Sequence, residues 1–327
     1  CDGKTYSTHK NDLPRAPRRT AVRIDQAYSL RWSTRFLISF DQFVAELPAP
    51  LNEETYTLLR QDVWGADDIE VYINSAEDFA FLYPTPVVDY DDYQPRSQKL
   101  NLMDAKKGNV EIFRRFEKIK DQFNGCKSVL EIGASEGTFL AQLNSHNPSL
   151  SLASVEPDQA TAEQRNQLSW LRQFSQISGV MQSEMKFDVI CLFHVFEHIA
   201  EPTNFLEQVR ACLSVDGKII IEVPSLFDPL LKLYDNEAYA GFYFQKQHPY
   251  IYAPTSLTRL LERNGFRVTE SIAHQRYGLE NHMNWLMTGQ PGGSSKLREL
   301  FSGLDAQYRS AIEANDLTDS FFLIGEI

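Results

Sequence analysis

The sequence predicts an α/β chain built on a doubly wound, seven-stranded sheet, preceded by a smaller amino-terminal subdomain. Three observations predict it. Apolar runs alternate with segments of helical period from about residue 109 to the end. The first run, Ser128-Val129-Leu130-Glu131-Ile132, stops at Gly133 and passes through a glycine-bearing turn into Thr138-Phe139-Leu140, the pattern of strand, tight loop and helix. Two later runs, Lys186 to His194 and Lys218 to Pro224, are nearly continuous in apolar residues, as strands covered on both faces are.

Taken in order, residues 1–20 are polar and basic, with Pro14 and Pro17, and read as an arm. From Arg23 to about Tyr93 the chain is rich in aromatics; Arg31 to Val44 and Glu53 to Val63 predict helices, and Ile69 to Ile73 a short strand. Residues 1–107 are thus expected to form an arm and a cap or substrate-side subdomain, and residues 108–327 the main domain. A helix over Gly108–Phe123 leads into the first core strand, and Leu150–Val155 is the second. A helix over Gln159–Leu168, a strand over Ser169–Phe174 and the buried strand Lys186–His194 follow. A helix begins at Glu201-Pro202 and continues to Leu213, ahead of the fifth strand, Lys218–Pro224. Thr255–Asn264 is a helix stopped by Gly265, Phe266–His274 a strand, Ser294–Ala314 a long helix and Phe321–Ile327 the closing strand.

Composition narrows the function. A formal charge of −12 and an isoelectric point near 5.1 argue against a nucleic-acid surface, which should be basic. The four cysteines show no C-x-x-C spacing, so neither a zinc site nor a disulfide framework is indicated. There is no signal peptide, and no apolar run approaches the eighteen or so residues that a membrane helix needs. A cytoplasmic protein with a small-molecule partner is expected, and self-association into a homo-oligomer is left open.

The turn after the first strand says what it binds. Gly133 and Gly137 carry no Cβ, so a ligand can approach the backbone, and the helix that follows presents unpaired N–H groups. The dinucleotide fingerprint would be G-x-G-x-x-G, whereas here the pattern is E-x-G-x-x-x-G, with Glu131 two residues before the first glycine. A carboxylate there repels a pyrophosphate and suits a cationic amino group. Glu156, at the end of the second strand, occupies the usual place of a partner for ribose hydroxyls. An amine-bearing nucleoside without pyrophosphate, such as S-adenosylmethionine, fits both acids, and a dehydrogenase is disfavoured.

The segment resembles the first motif of class I S-adenosylmethionine-dependent methyltransferases, E/D-x-G-x-G-x-G, with Ser135 in place of the middle glycine. That resemblance implies a Rossmann-like sheet and S-adenosylmethionine as cofactor. It places Glu131 at the amino-acid end, Gly133, Ser135 and Gly137 in the turn, Glu156 on the ribose, and Phe174 near the adenine.

Four further stretches bear on the acceptor. Phe193 to Pro202 resembles the F-x-V-x-E-H-x-x-x-P signature after strand four in the branch that includes quinone and sugar methyltransferases. There His194 would lie near the cofactor, and Glu197 and His198 would face the acceptor; alternatively Glu197 and His198 anchor the loop. His194, Glu197 and His198 are a conceivable metal set, but without a clear further ligand no metal is expected. Gly241 to Leu257 resembles the E-H-x-x-Y stretch of sugar methyltransferases, in which the histidine lies over the transferring methyl. His248 matches that histidine, while Gln247 replaces the acid and Gln245 a tyrosine; this favours O- over C-methylation, or an arrangement using Tyr243. Tyr277 to Gly293 resembles a stretch of surface-sugar methyltransferases in which Asn281 and His282 would hold sugar hydroxyls, with Trp285 as stacking face or as core. Val87 to Tyr93 mixes acids with tyrosines, either to grip a sugar or as an acidic loop.

The expected function is methyl transfer from S-adenosylmethionine to a hydroxyl (or carbon) of a sugar, nucleotide sugar or glycan precursor, with His248 or His198 as general base. A small-molecule or quinone-type O-methyltransferase, and a non-catalytic nucleoside-binding module, are the alternatives.

Overall fold

In the computed structural model the described residues are 39–61, 63, 64, 66, 68–86 and 102–327. The arm at 1–20, most of the helix expected over Arg31–Val44 and the acid–tyrosine stretch Val87–Tyr93 lie outside them. The strands are β1 Tyr56–Arg60, β2 Glu70–Asn74, β3 Phe79–Tyr83, β4 Ser128–Ile132, β5 Ser151–Val155, β6 Arg172–Phe174, β7 Phe187–Phe193, β8 Leu213–Pro224, β9 Tyr250–Tyr252, β10 Arg267–His274 and β11 Ser320–Glu326.

Seven of them form one sheet in the order β10-β11-β8-β7-β4-β5-β6. From β8 to β6 the neighbours run parallel, and β11 is antiparallel to both β8 and β10. The strand order turns back at β4, so the carboxyl ends of β4 and β7 border the crevice in which such sheets bind ligands. Alternation along the strands divides the core into two layers. Leu130, Ile190, Leu192, Ile219 and Ile221 face one side, packed with Leu206, Val209, Leu257 and Leu260. Val129, Val189, Cys191 and Ile220 face the other, against Phe116, Ile119, Phe139 and Leu143.

The second sheet is antiparallel, in the order β1-β2-β3-β9. Its fourth strand comes from residues 250–252, which pair with β3 through Phe79↔Tyr252 and Phe81↔Tyr250. Phe79, Phe81, Tyr250 and Tyr252 join the same core layer as Leu257 and Leu260. Asp78 then ties this sheet to the helix Pro254–Arg263. Its carboxylate accepts from Thr255 Oγ1 at 2.6 Å and Arg259 Nη1 at 2.7 Å, while its carbonyl accepts from Ser256 Oγ at 2.6 Å. Glu54 receives the other arm of Arg259 at 2.7 Å.

Several elements depart from expectation. Glu53–Val63, expected as a helix, holds the 3₁₀ turn Leu51–Glu53 and then β1. The β-favouring Tyr56-Thr57 pair and a partner strand in β2 outweigh its apolar spacing. The long helix expected over Ser294–Ala314 is two helices, Ser295–Phe301 and Asp305–Glu313, broken around Gly303. The expected helix Gln159–Leu168 is a 3₁₀ turn, Gln159–Thr161, followed by the helix Ala162–Asn166. The third core strand shortens to Arg172–Phe174. The stretch after β10 is a helix, Leu279–Thr288, ended by Gly289 at φ 64°.

Asp78 keeps its carboxyl below the usual carboxylate range: burial opposes ionisation, but the bonds from Arg259, Thr255 and Asn74 outweigh it. An acid depressed in this way stabilises the fold above its unfolded pKa and loses that contribution as pH falls. Asp78→Ala should therefore cost about 2–3 kcal/mol at neutral pH, seen as a lower urea midpoint, and the gap to wild type should narrow below about pH 4.

Candidate functional site

The turn between β4 and the helix Thr138–His146 carries three left-handed positions at alternate residues. Gly133 has φ 78°, Ser135 φ 46° and Gly137 φ 78°. At Gly133 the need for glycine is doubled, since an added Cβ would lie 2.3 Å from Val195 Cγ2. That contact also shows that the turn after β4 and the loop after β7 are pressed against each other. The turn is held from beneath. Glu156 Oε2 accepts from Ser135 N at 2.7 Å and its Oε1 from Asp158 N at 2.9 Å. Phe174 supplies its carbonyl to Glu156 N at 3.0 Å. The buried Arg165 guanidinium bonds the carbonyls of Ser135 and Asp158, crossing from one loop to the next.

Glu131 is the penultimate residue of β4, just beneath this turn, and is 4% exposed. Its Oε2 has no partner among the described residues. Burial pushes its pKa up to about 8, opposed by the Arg115 charge and aided by that of Glu156. A buried, unpartnered carboxyl oxygen costs free energy until something donates to it.

On the other side of the contact lie His194, Glu197, His198 and His248. His194, at φ 56°, places Nδ1 3.3 Å from Glu197 Oε1 and Nε2 3.2 Å from Glu222 Oε1, with Arg276 Nη1 2.8 Å from Nε2. Burial and Arg276 oppose its protonation, but the two carboxylates prevail and raise its pKa. Glu197 is 3% exposed, and its Oε2 has no partner among the described residues. Burial works against its ionisation, yet the bond to His194 and the charges of three histidines hold its pKa down to about 2. His198 Nδ1 lies 2.8 Å from the Gln247 carbonyl, and its ring is 4.8 Å from that of His248. Burial lowers the His248 pKa to about 3. A base that weak takes up a hydroxyl proton poorly near neutral pH.

The residues from the later stretches have their polar groups engaged within the fold. Tyr243 is buried, its hydroxyl donating to the Ser225 carbonyl at 2.6 Å. Trp285 is 3% exposed and packs on Tyr239 and Phe242, so it is core rather than a stacking face. His282 is also buried, between Tyr308 (2.5 Å) and Gln275 (3.3 Å), and is no open ligand for a hydroxyl. Asn281 donates to the Gly292 carbonyl at 2.8 Å and so ties down the chain after its helix. An Asn-His pair followed by a tryptophan looks like a sugar platform in sequence; folded, internal partners absorb its polar atoms.

Sequence reasoning missed Arg115, Arg165, Glu222 and Arg276. Glu222 is fully buried in β8 and is ion-paired to Arg115, whose guanidinium also lies over the Phe193 ring at 4.8 Å. A lone acid inside Ile219-Ile220-Ile221-Glu222-Val223 was the available signal, because a charge in a buried strand needs a partner.

Residues 104–271 match the family model described as a methyltransferase domain. Among solved structures the chain is similar to a SAM-dependent methyltransferase from Archaeoglobus fulgidus, at 18% identity over 68% of this chain and 94% of that one, with a TM-score of 0.46. It is also similar to a methyltransferase from Thermotoga maritima named as a possible histamine N-methyltransferase, at 16% identity over 68% and 89%, with a TM-score of 0.42. A third likeness is to the plantazolicin methyltransferase BpumL in complex with SAH, at 15% identity over 72% and 90%, with a TM-score of 0.44. A search of curated proteins found no match.

Gly133→Ala should lose about 2–4 kcal/mol of stability in urea denaturation, from left-handed strain and overpacking together. Adding Val195→Ala should recover the packing part and leave the strain. Additive losses in the double variant would show that the Val195 contact is not what confines this position.

Proposed function

Because the chain belongs to the methyltransferase domain family, we propose that it moves the methyl group of S-adenosylmethionine to a hydroxyl of a small polar acceptor of the sugar, nucleotide-sugar or glycan-precursor class. The chain is an enzyme of the S-adenosylmethionine-dependent kind. The single observation that carries the reading is the buried Glu131 Oε2, without a partner among the described residues, beneath the left-handed turn. It asks for a cationic donor, and the ammonium of S-adenosylmethionine is one, so the residues present fit the group. Glu131 would take the amino-acid end, and the backbone of Gly133, Ser135 and Gly137 would line its approach. Glu156, which bonds Ser135 N, would meet the ribose, and Phe174 would border the adenine. His194 braces the boundary between donor and acceptor sides through Glu197 and Glu222.

When bound, S-adenosylmethionine supplies an already activated methyl group. What remains for the protein is to aim the acceptor oxygen at it and to help remove its proton. Glu197, His198 and His248 form the face that would do so, pressed to the donor turn through Val195. The sugar-type acceptor is supported by the sequence resemblance around His248, with Gln247 where a base-assisting acid would stand; that difference favours oxygen over carbon as the methylated atom. Residues 108–327 would carry this site, and the small sheet β1-β2-β3, paired to β9, would border the acceptor.

The test is turnover. With methyl-labelled S-adenosylmethionine, label should pass to a nucleotide sugar in preference to a hydroquinone, and His248→Ala should lower kcat about 100-fold by misplacing the acceptor. Transfer to the hydroquinone alone would replace the sugar reading with the quinone-type one. Tight donor binding with no transfer to any acceptor would favour the binding module.

A further inference from the structure

We propose that Arg165 is a positioning residue for the methyl donor: with Glu156 it clamps Ser135 in the left-handed conformation that shapes the turn after β4. Its consequence for donor binding rests on the methyl-transfer reading; the clamp itself does not. Residues 134–137 form a hydrogen-bonded turn, with Gly137 N donating to the Ala134 carbonyl at 2.7 Å. The first central residue of that turn is Ser135, at φ 46°. Turns with positive φ at this place are dominated by glycine, asparagine and aspartate. A serine there is strained, and the conformation persists only where the surroundings hold it.

Both polar groups of the Ser135 backbone are taken by side chains of opposite charge. Its N–H donates to Glu156 Oε2 at 2.7 Å, and its carbonyl accepts from Arg165 Nη1. Glu156 follows β5 directly and Arg165 lies in the helix Ala162–Asn166, so the next unit of the sheet grips the turn. Each gripping group is itself fixed. Glu156 Oε1 accepts from Asp158 N at 2.9 Å. Arg165 Nη1 also reaches Thr161 Oγ1, Nη2 donates to the Asp158 carbonyl at 3.1 Å, and the Arg165 carbonyl accepts from Gln173 Nε2 at 3.2 Å. The Arg165 stem runs beside the far end of the turn, where a Cβ added to Gly137 would lie 3.5 Å from its Cγ.

Arg165 is 3% exposed, and these partners of its guanidinium are uncharged oxygens. Burying a cation is costly unless hydrogen bonds replace its water, and bonds from a charged donor are the stronger kind. What the guanidinium supplies is a rigid fork that takes the carbonyls of two loops at once, which the single ammonium of a lysine does not match. Released from it, Ser135 relaxes toward negative φ and turns the peptide groups that would line the approach of the donor.

The experiment is calorimetric titration of the full chain with S-adenosylmethionine, in wild type, Arg165→Met, Ser135→Gly and the double variant. Arg165→Met should weaken binding about tenfold. Ser135→Gly in the same chain should recover most of that loss, because glycine takes positive φ without strain. Support of the fold alone would lower the urea midpoint of Arg165→Met without such a rescue. Arg165→Lys keeps the charge and loses the fork; it should bind with intermediate affinity, and it carries the test if the methionine variant does not fold. The proposal is overturned if Arg165→Met binds as wild type does, or if the double variant binds no better than Arg165→Met. Should the wild-type protein bind no donor, the methyl-transfer reading fails, and amide exchange at Gly137 decides the clamp by itself. That amide should exchange about tenfold faster in Arg165→Met and slow again in the double variant; equal rates overturn the clamp.

Discussion

A carboxylate sealed from water must be paired, and Glu222, with no exposure at the centre of the sheet, is where that demand is greatest. Arg115 reaches it from the helix Leu102–Ile119, and His194 from the end of β7. His194 in turn holds Glu197, and Arg276, from beyond β10, closes on His194 while Asp319 holds Arg276. The pairing fixes where the loop after β7 leaves the sheet. That loop presses Val195 onto Gly133, so the conformation of the donor turn depends on the same buried charge.

The two halves of the proposed site are therefore built differently. The half assigned to the donor is local: a strand, a left-handed turn and a helix, braced by Glu156 and Arg165 from the next unit of the sheet. The half assigned to the acceptor is assembled from distant segments. His198 comes from the loop after β7, whereas His248 stands just before β9, the strand that completes the small sheet beside β3. Tyr250 bonds the Ala200 carbonyl at 3.2 Å, tying the two segments together. Changes in the small sheet would thus be felt at His248, a route by which it could shape the choice of acceptor.

This division explains what could be read from the sequence. The order of core strands, the turn at Gly133 and the acids Glu131 and Glu156 follow from short-range pattern, and the structure has them where the pattern puts them. β1 was misread because hairpin pairing with β2, not its own period, decides its state. Tyr243, His282 and Trp285 look like binding groups in a string of letters, yet each finds its partner inside the fold. Arg115 and Glu222 are separated by 107 positions, so no local pattern could pair them. The state of His248 was equally hidden, since burial sets it rather than its neighbours in sequence.

The reading proposed above has Glu131, buried and with its Oε2 lacking a partner among the described residues, receive the cationic end of the methyl donor. With its pKa pushed up to about 8, Glu131 is mostly protonated at pH 7 and must ionise to receive an ammonium. Calorimetric titration with S-adenosylmethionine at pH 7, in two buffers of different ionisation enthalpy, measures this directly. One-to-one binding with release of about one proton, lost in Glu131→Gln, is the predicted result. Absence of binding, or binding with no proton released and no response to Glu131→Gln, would contradict it.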